Sequence, residues 1–199
     1  MMASRSTLAG LAAAALMVVA CSKKENNGGD TTSALAGAAD TSAMASSTTS
    51  GTWTDENIFA LLDEANAADS AAGAIAATKG TSAAVRDFGK RMMHDHHSLR
   101  VQGEALAKKL KVTSTPPAGD NSIADSQKNL DNLNSTAKGK DFDKAYIDHE
   151  VEYHMAVLET ATKAMGQAQS TELKALIQKA APTIQGHLDK AEAIQKNLK

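Results

Sequence analysis

The stretch that decides the fold is VRDFGKRMMHDHHSLRVQGEALAKKL, residues 85–110. Steps of three and four along it select apolar or small residues that share one face of an α-helix: Val85, Phe88, Met92, Leu99, Gly103, Leu106 and Leu110. His96 falls on the same line, between Met92 and Leu99. The pattern therefore predicts a long amphipathic helix whose apolar face carries one titratable ring.

Three further segments repeat this pattern, and each has one polar residue on its apolar line. The lines are Ile58, Leu62, Ala65, Asp69, Ala72 and Ala76; Ile147, Val151, His154, Leu158, Ala161 and Met165; and Leu173, Ile177, Ala180, Ile184, His187, Ala191, Ile194 and Leu198. Four predicted helices thus each direct one potentially coordinating side chain inward, and these are Asp69, His96, His154 and His187.

Capping residues give the limits of the helices. The first helix is predicted to follow Thr54 and end near Gly80, and the second to follow Thr81 or Ser82 and end near Lys111. The third is predicted to run from 142 to 167, with Asp141 as its cap. The fourth is predicted to follow Ser170 or Thr171 and to bend at Pro182. Between the second and third lie a loop and a short helix within 123–139. Short joints join antiparallel neighbours, so we predict an all-α, ferritin-like four-helix bundle with a long central crossover carrying the short helix.

Distances along the chain place the four inward polar residues at similar depths. Within each hairpin, the numbers of residues between the two polar residues and the joint differ by four to five, which corresponds to about 6–8 Å of helix rise. We expect them to converge. The cluster could hold a single Zn, Cu or Fe ion, because imidazoles and a carboxylate suit these metals; it could instead be a hydrogen-bonded polar cluster that shares protons, or a set of unrelated core histidines.

Neighbouring residues refine this expectation. Met92, Met93 and Met155 lie near the histidines, so copper remains a candidate metal, although the ordinary role of methionine is to fill the core. Tyr146 and Glu150 are candidates for outer partners of the site. Glu150 precedes His154 by four positions rather than three, so the Glu-x-x-His pairs of a di-iron site are missing. His94, His97 and His149 fall off the apolar lines and are predicted to be solvated.

The N-terminal segment is typical of a secreted lipoprotein. Arg5 precedes an apolar stretch, Leu11–Val19, that is too short to span a bilayer, and Val18-Val19-Ala20-Cys21 resembles the bacterial lipobox. Residues 1–20 are therefore predicted to be a signal peptide, and Cys21, the only cysteine, to carry the lipid. Residues 21–52 are rich in Ser, Thr, Ala and Gly and are predicted to be a disordered tether, so 53–199 form the bundle domain.

Composition excludes several classes of function. The formal net charge is −2 and no basic cluster is present, which argues against nucleic-acid binding. No G-x-S-x-G, H-E-x-x-H or glycine-rich phosphate loop occurs.

The motifs FGKRMMHDHH (88–97), FDKAYIDHEVEYHMAVLE (142–159) and APTIQGHLDKA (181–191) resemble the domain of unknown function family 4142, predicted outer-membrane proteins with a ferritin-like helical bundle. The resemblance covers about residues 55–198. The shared motifs are Asp95-His96 in the second helix, Phe142-Asp143 with Tyr146 and His154 in the third, and Pro182 with His187 in the fourth. Two positions differ: Tyr153 stands where the family has Asp, and Asp69 stands where it has Glu. The resemblance implies the fold and no settled activity.

The sequence as a whole predicts a lipid-anchored protein of the bacterial cell envelope, in the outer membrane and facing the periplasm if the source is Gram-negative. Its role would be metal binding, storage or sensing. The alternative is a non-catalytic structural or interaction module without metal, and a redox or peroxide-detoxifying enzyme is the least supported reading. The sequence names no protein partner.

Overall fold

The computed structural model describes residues 51–198, which form five helices and contain no strand. The helices are α1 (Asp55–Lys79), α2 (Ala83–Leu110), α3 (Ser122–Ser135), α4 (Lys140–Gln167) and α5 (Thr171–Asn197). This confirms the predicted all-α bundle, with two helical hairpins, α1–α2 and α4–α5, and a long crossover that carries the short α3. The predicted signal peptide, Cys21 and the tether up to residue 50 lie outside the described residues.

Capping side chains explain most of the helix starts. Thr54 and Asn57 form a reciprocal capping box at α1, while Ser82 and Ser170 each accept a hydrogen bond from the backbone of their own helix. The predicted cap of α4 is wrong. α4 begins at Lys140 after Gly139, which provides no side-chain cap, and Asp141 lies within its first turn.

Two aspartates cap helices of the opposite hairpin. Asp143, buried in the first turn of α4, accepts hydrogen bonds from Thr81 N (2.8 Å), Thr81 Oγ1 (2.6 Å) and Ser82 N (2.7 Å) at the start of α2. Asp55, in the first turn of α1, accepts from Gln169 N (2.7 Å) and Ser170 N (2.9 Å) at the start of α5. These carboxylates satisfy free backbone donors and fix the register of one hairpin against the other.

The α1–α2 hairpin is held in close contact by two glycines. A Cβ at Gly73 would lie 2.6 Å from Gly89 O, and a Cβ at Gly89 would lie 2.7 Å from Gly73 O. Only glycine permits backbones to approach so closely. The contact lies one turn from Asp69 on α1 and two turns from His96 on α2, so it sets the separation between the helices that carry them.

Buried apolar side chains form two clusters at opposite ends of the bundle. The first core cluster comprises Ala72, Ala76, Val85, Phe88, Met92, Leu133, Phe142, Tyr146, Ile147, Ala191 and Ile194. The second core cluster comprises Trp53, Ile58, Phe59, Ala107, Ala164, Ala168, Leu173 and Ile177. The inward polar residues fall between the two clusters in every long helix, so they form a polar layer across the middle. Among residues 51–198, none of the helices is apolar over the length needed to cross a membrane.

Candidate metal centre

The structure brings the four predicted residues together between the two core clusters. Asp69 and His96 are each 2% exposed, and His154 and His187 are fully buried. The three imidazole rings are mutual neighbours, with centroid separations of 5.6 Å for His96–His154, 5.1 Å for His96–His187 and 5.4 Å for His154–His187. The expected convergence of one side chain from each long helix is therefore present in the fold, while the role of these residues as ligands stays a prediction.

One nitrogen of each imidazole donates to an oxygen outside the centre. His96 Nδ1 donates to Asn66 Oδ1 (2.9 Å), and the Asn66 amide is oriented by its own donation to Leu62 O (2.6 Å). His154 Nδ1 donates to the Glu150 carbonyl (2.8 Å), and His187 Nε2 donates to Asp95 Oδ2 (3.0 Å). Because these oxygens can only accept, the engaged nitrogen of each ring carries a proton, and the opposite nitrogen is the one available to a metal ion.

The opposite nitrogens of His96 and His154 lie beside Asp69. His96 Nε2 lies 3.0 Å and His154 Nε2 lies 3.4 Å from Asp69 Oδ2, yet neither pair has hydrogen-bond geometry. Suitable ligand atoms of His96, His154 and His187 all lie within 4.8 Å of one another. Burial lowers the pKa of His154, and it lowers that of His187 to about 4 against the effect of its hydrogen bond to Asp95. Burial therefore favours the neutral form of these two rings.

Glu150 also belongs to this centre, rather than only flanking it as the sequence suggested. Its side chain is fully buried, and ligand atoms of Asp69, Glu150 and His154 lie within 4.8 Å of one another. Burial and the negative charge of Asp69 raise the pKa of Glu150 well above its usual range. For Asp69 burial opposes ionisation, but His96 and His154 hold its pKa below the usual range. The surroundings therefore favour the protonated form of Glu150 and the ionised form of Asp69.

The polar atoms of this layer are exceptional within the described chain. Eight buried side-chain oxygen and nitrogen atoms in residues 51–198 have no hydrogen-bond partner, and all of them lie in this one layer: both carboxylate oxygens of Asp69 and of Glu150, His96 Nε2, His154 Nε2, His187 Nδ1 and the Tyr146 hydroxyl. Buried polar atoms are normally paired, and each unpaired one costs about 1–3 kcal/mol. The donor set of imidazole nitrogens and carboxylate oxygens fits a divalent transition metal.

The other histidines and methionines that the sequence analysis named lie outside the group of proposed ligands. His94 and His97 are exposed, as predicted. His149 is only half-exposed and contacts Asn129 Nδ2 through its Nε2 (2.9 Å), so the prediction that it is solvated is wrong; burial lowers its pKa to about 4. Met92 is a fully buried member of the first core cluster, whereas Met93 and Met155 are 42% and 55% exposed. Met93 and Met155 are therefore too exposed to serve as ligands of the buried layer.

Fold and site together define a helical-bundle protein with a buried histidine and carboxylate cluster that could hold a metal ion. The chain belongs to the domain of unknown function family DUF4142, whose model matches residues 38–194. The match begins inside the predicted tether and covers nearly all of the bundle. No curated protein and no solved structure shows significant similarity to the chain.

Proposed function

We propose that this protein binds one divalent transition-metal ion in the polar layer, through His96, His154, His187 and Asp69, with Glu150 as a further ligand. The role is binding, storage or sensing of the metal in the cell envelope. The single observation that carries this proposal is the direction of the three imidazoles. Each has one nitrogen held by an oxygen acceptor and its other nitrogen buried without a hydrogen bond, and on His96 and His154 that second nitrogen lies 3.0 Å and 3.4 Å from Asp69 Oδ2.

A cation explains this arrangement better than proton sharing does. Metal-bound histidines commonly donate their second N–H to a carbonyl or carboxylate, which fixes the tautomer and orients the ring. Asn66 Oδ1, the Glu150 carbonyl and Asp95 fill that role here. Without a cation, the second nitrogens of His96 and His154 would lie buried beside the Asp69 carboxylate without hydrogen-bond geometry, which is unfavourable. Three nitrogens and one or two oxygens suit Zn²⁺, Fe²⁺ or Cu²⁺.

The test is elemental analysis of the full chain purified without a polyhistidine tag. We expect about one ion per chain, since the two possible groups of ligands share His154. His96→Ala and His154→Ala should lose the ion. The matched control is His97→Ala, because His97 is the exposed neighbour of His96 and should be replaceable without loss. Circular dichroism establishes that each variant is folded.

Two results would contradict metal binding. One is a wild-type chain that contains no stoichiometric metal and whose melting temperature does not change when Zn, Cu or Fe salts are added. The other is equal metal content in the His96→Ala and His97→Ala variants. Either result would favour the alternative that the layer is a polar cluster within a structural or interaction module.

The envelope location is a separate part of the proposal. Support comes from the lipobox-like Val18-Val19-Ala20-Cys21 and from the position of the only cysteine. The anchor would hold the bundle at the periplasmic side of the outer membrane in a Gram-negative cell. Metabolic labelling with a fatty acid should label the wild-type chain and leave Cys21→Ser unlabelled. Unlabelled wild-type chain in the soluble fraction would contradict the anchor.

A further inference from the structure

A cavity of about 190 Å³ lies between the metal-binding layer and the second core cluster. All four long helices contribute to its wall, which is mainly apolar; Leu62, Leu99, Leu158 and Ile184 are examples, one from each helix. An engineered apolar cavity of about 150 Å³ is large enough to bind benzene or xenon. The cavity therefore has room for a molecule of one aromatic ring.

Small residues at inward positions keep this space open. Ala65, Gly103, Ala161 and Ala180 lie on the apolar lines that the sequence assigns to the core, and all of them line the cavity. A Cβ placed at Gly103 would meet no atom within 4 Å. Larger residues at these positions would fill the space, as Met92 and Phe88 do in the first core cluster.

The polar groups at the two ends of the cavity indicate what it can hold. Partly exposed Asp63 and Arg100 and exposed Glu104 line its solvent side, where Arg100 Nε lies 2.7 Å from Asp63 Oδ1 and 3.4 Å from Glu104 Oε1. Arg100 is thus engaged by both carboxylates and is not free to bind an anionic ligand, while the wall further in is mainly apolar. His96 and Asn66 form the inner wall, and their mutual hydrogen bond places the ring of a proposed metal ligand against the cavity.

We propose that this cavity binds a small, uncharged, apolar molecule, no larger than one aromatic ring, next to the centre that contains His96. The statement that the bound molecule lies beside a metal ion depends on the proposed function; the existence of the binding pocket does not. A molecule in the pocket contacts the His96 imidazole on the side away from Asp69. Binding would then be sensed at the centre through that ring.

The experiment uses the full chain carrying Cys21→Ser, so that no lipid is attached, with benzene and xenon as probes. We expect saturable benzene binding, seen as a concentration-dependent rise in melting temperature, a ¹²⁹Xe chemical shift that depends on protein concentration, and shifts of the His96 ring signals on benzene addition. Gly103→Leu should weaken benzene binding about tenfold or more, because the leucine side chain occupies the cavity. The matched control is Gly166→Leu, at an exposed helical glycine where a Cβ also meets nothing within 4 Å.

Metal content is measured on the same samples, so the two proposals fail separately. Benzene binding in a chain without metal would support the pocket and contradict the metal site. Stoichiometric metal in a chain that binds neither benzene nor xenon would do the reverse. Equal benzene affinity in Gly103→Leu and Gly166→Leu, with both variants folded, would also overturn the pocket.

Discussion

In the first core cluster, Met92, Leu133, Phe142 and Tyr146 are completely buried, and α1 meets α2 in backbone contact at Gly73. In the second core cluster the packing is looser. Leu62, Leu106 and Leu158, on the same inward lines, are only partly buried, and a cavity of about 190 Å³ separates the helices. The two halves thus share one helical pattern but differ in side-chain size and in packing density.

The difference suggests a division of roles around the polar layer. Asp69 lies one turn from Gly73, His96 one turn from Met92, and Glu150 one turn from Tyr146, so the compact half determines where the ligands stand. Rigid support of this kind is what a precise binding site requires. The loose half leaves space against His96 on the other side of the layer. Substitutions in the two halves should therefore have different effects on the free energies of unfolding and of metal binding.

Asp143→Ala should cause the largest loss of stability, because it removes three hydrogen bonds that join the hairpins at the compact end. Bonds to a charged acceptor are stronger than neutral ones, and the backbone donors of Thr81 and Ser82 would be left without their acceptor. We expect a loss of about 3 kcal/mol in the free energy of unfolding. Urea denaturation followed by circular dichroism measures it.

Asp141→Ala is the control for this variant. Asp141 is exposed and shares the first turn of α4, so it tests the general benefit of a carboxylate at a helix N-terminus. Its loss should be no more than about 1 kcal/mol. Comparable destabilisation by the two substitutions would show that Asp143 does not tie the hairpins together.

Gly73→Ala should be destabilising by about 2 kcal/mol, because the new methyl group would lie 2.6 Å from Gly89 O and force the helices apart. This cost exceeds the benefit of about 1 kcal/mol that alanine normally brings to a helix. Since Asp69 lies one turn away, metal affinity should fall as well. Calorimetric unfolding and metal titration measure the two effects; a variant as stable as wild type would contradict the close crossing.

Sequence patterns were sufficient for the fold and for the inward residues because both depend on periodicity along single helices. The count of residues from each joint was enough to predict that His96, His154 and His187 meet. Glu150 was already a candidate outer partner, and Asn66 could have been found in the same way, because it precedes Asp69 by three positions and therefore shares its helix face. The general signal is a polar residue one turn before an inward ligand.

Other features depend on contacts between distant parts of the chain. Asp143 caps a helix 62 positions away, and Asp55 caps one at a separation of 114, so neither role can be deduced from its own helix. The sequence predicts an apolar line on each long helix but not how tightly the four lines pack. The second half is loosely packed because small residues on four helices lie beside one another. Their alignment can be seen only in the three-dimensional structure.

Metal uptake should release a proton from the polar layer. Burial and the charge of Asp69 raise the pKa of Glu150 well above its usual range, which favours its protonated form, whereas His187, with a pKa near 4, is already neutral. A cation displaces the Glu150 proton when it binds, and protons compete more strongly as the pH falls. The apparent metal affinity should therefore fall about tenfold per pH unit on acidification, or about 1.4 kcal/mol.

Isothermal titration in two buffers of different ionisation enthalpy counts this proton. Glu150→Gln preserves the shape of the side chain and has no proton to release, so it should show less proton release than wild type. An affinity that is independent of pH between 6 and 8 would mean that the ion does not displace a proton from Glu150.

Gly103→Ala completes the comparison, since it makes the same change as Gly73→Ala in the loosely packed half. A Cβ at Gly103 meets no atom within 4 Å, so only the helix propensity of alanine should matter. We expect a gain of about 0.5–1 kcal/mol in the free energy of unfolding, seen as a higher urea midpoint at unchanged slope. Gly166→Ala, at an exposed glycine of α4, should give a similar gain. If Gly103→Ala instead destabilised the chain as Gly73→Ala is expected to do, α2 would be closely packed along its whole length, and the contrast between the two halves would be lost.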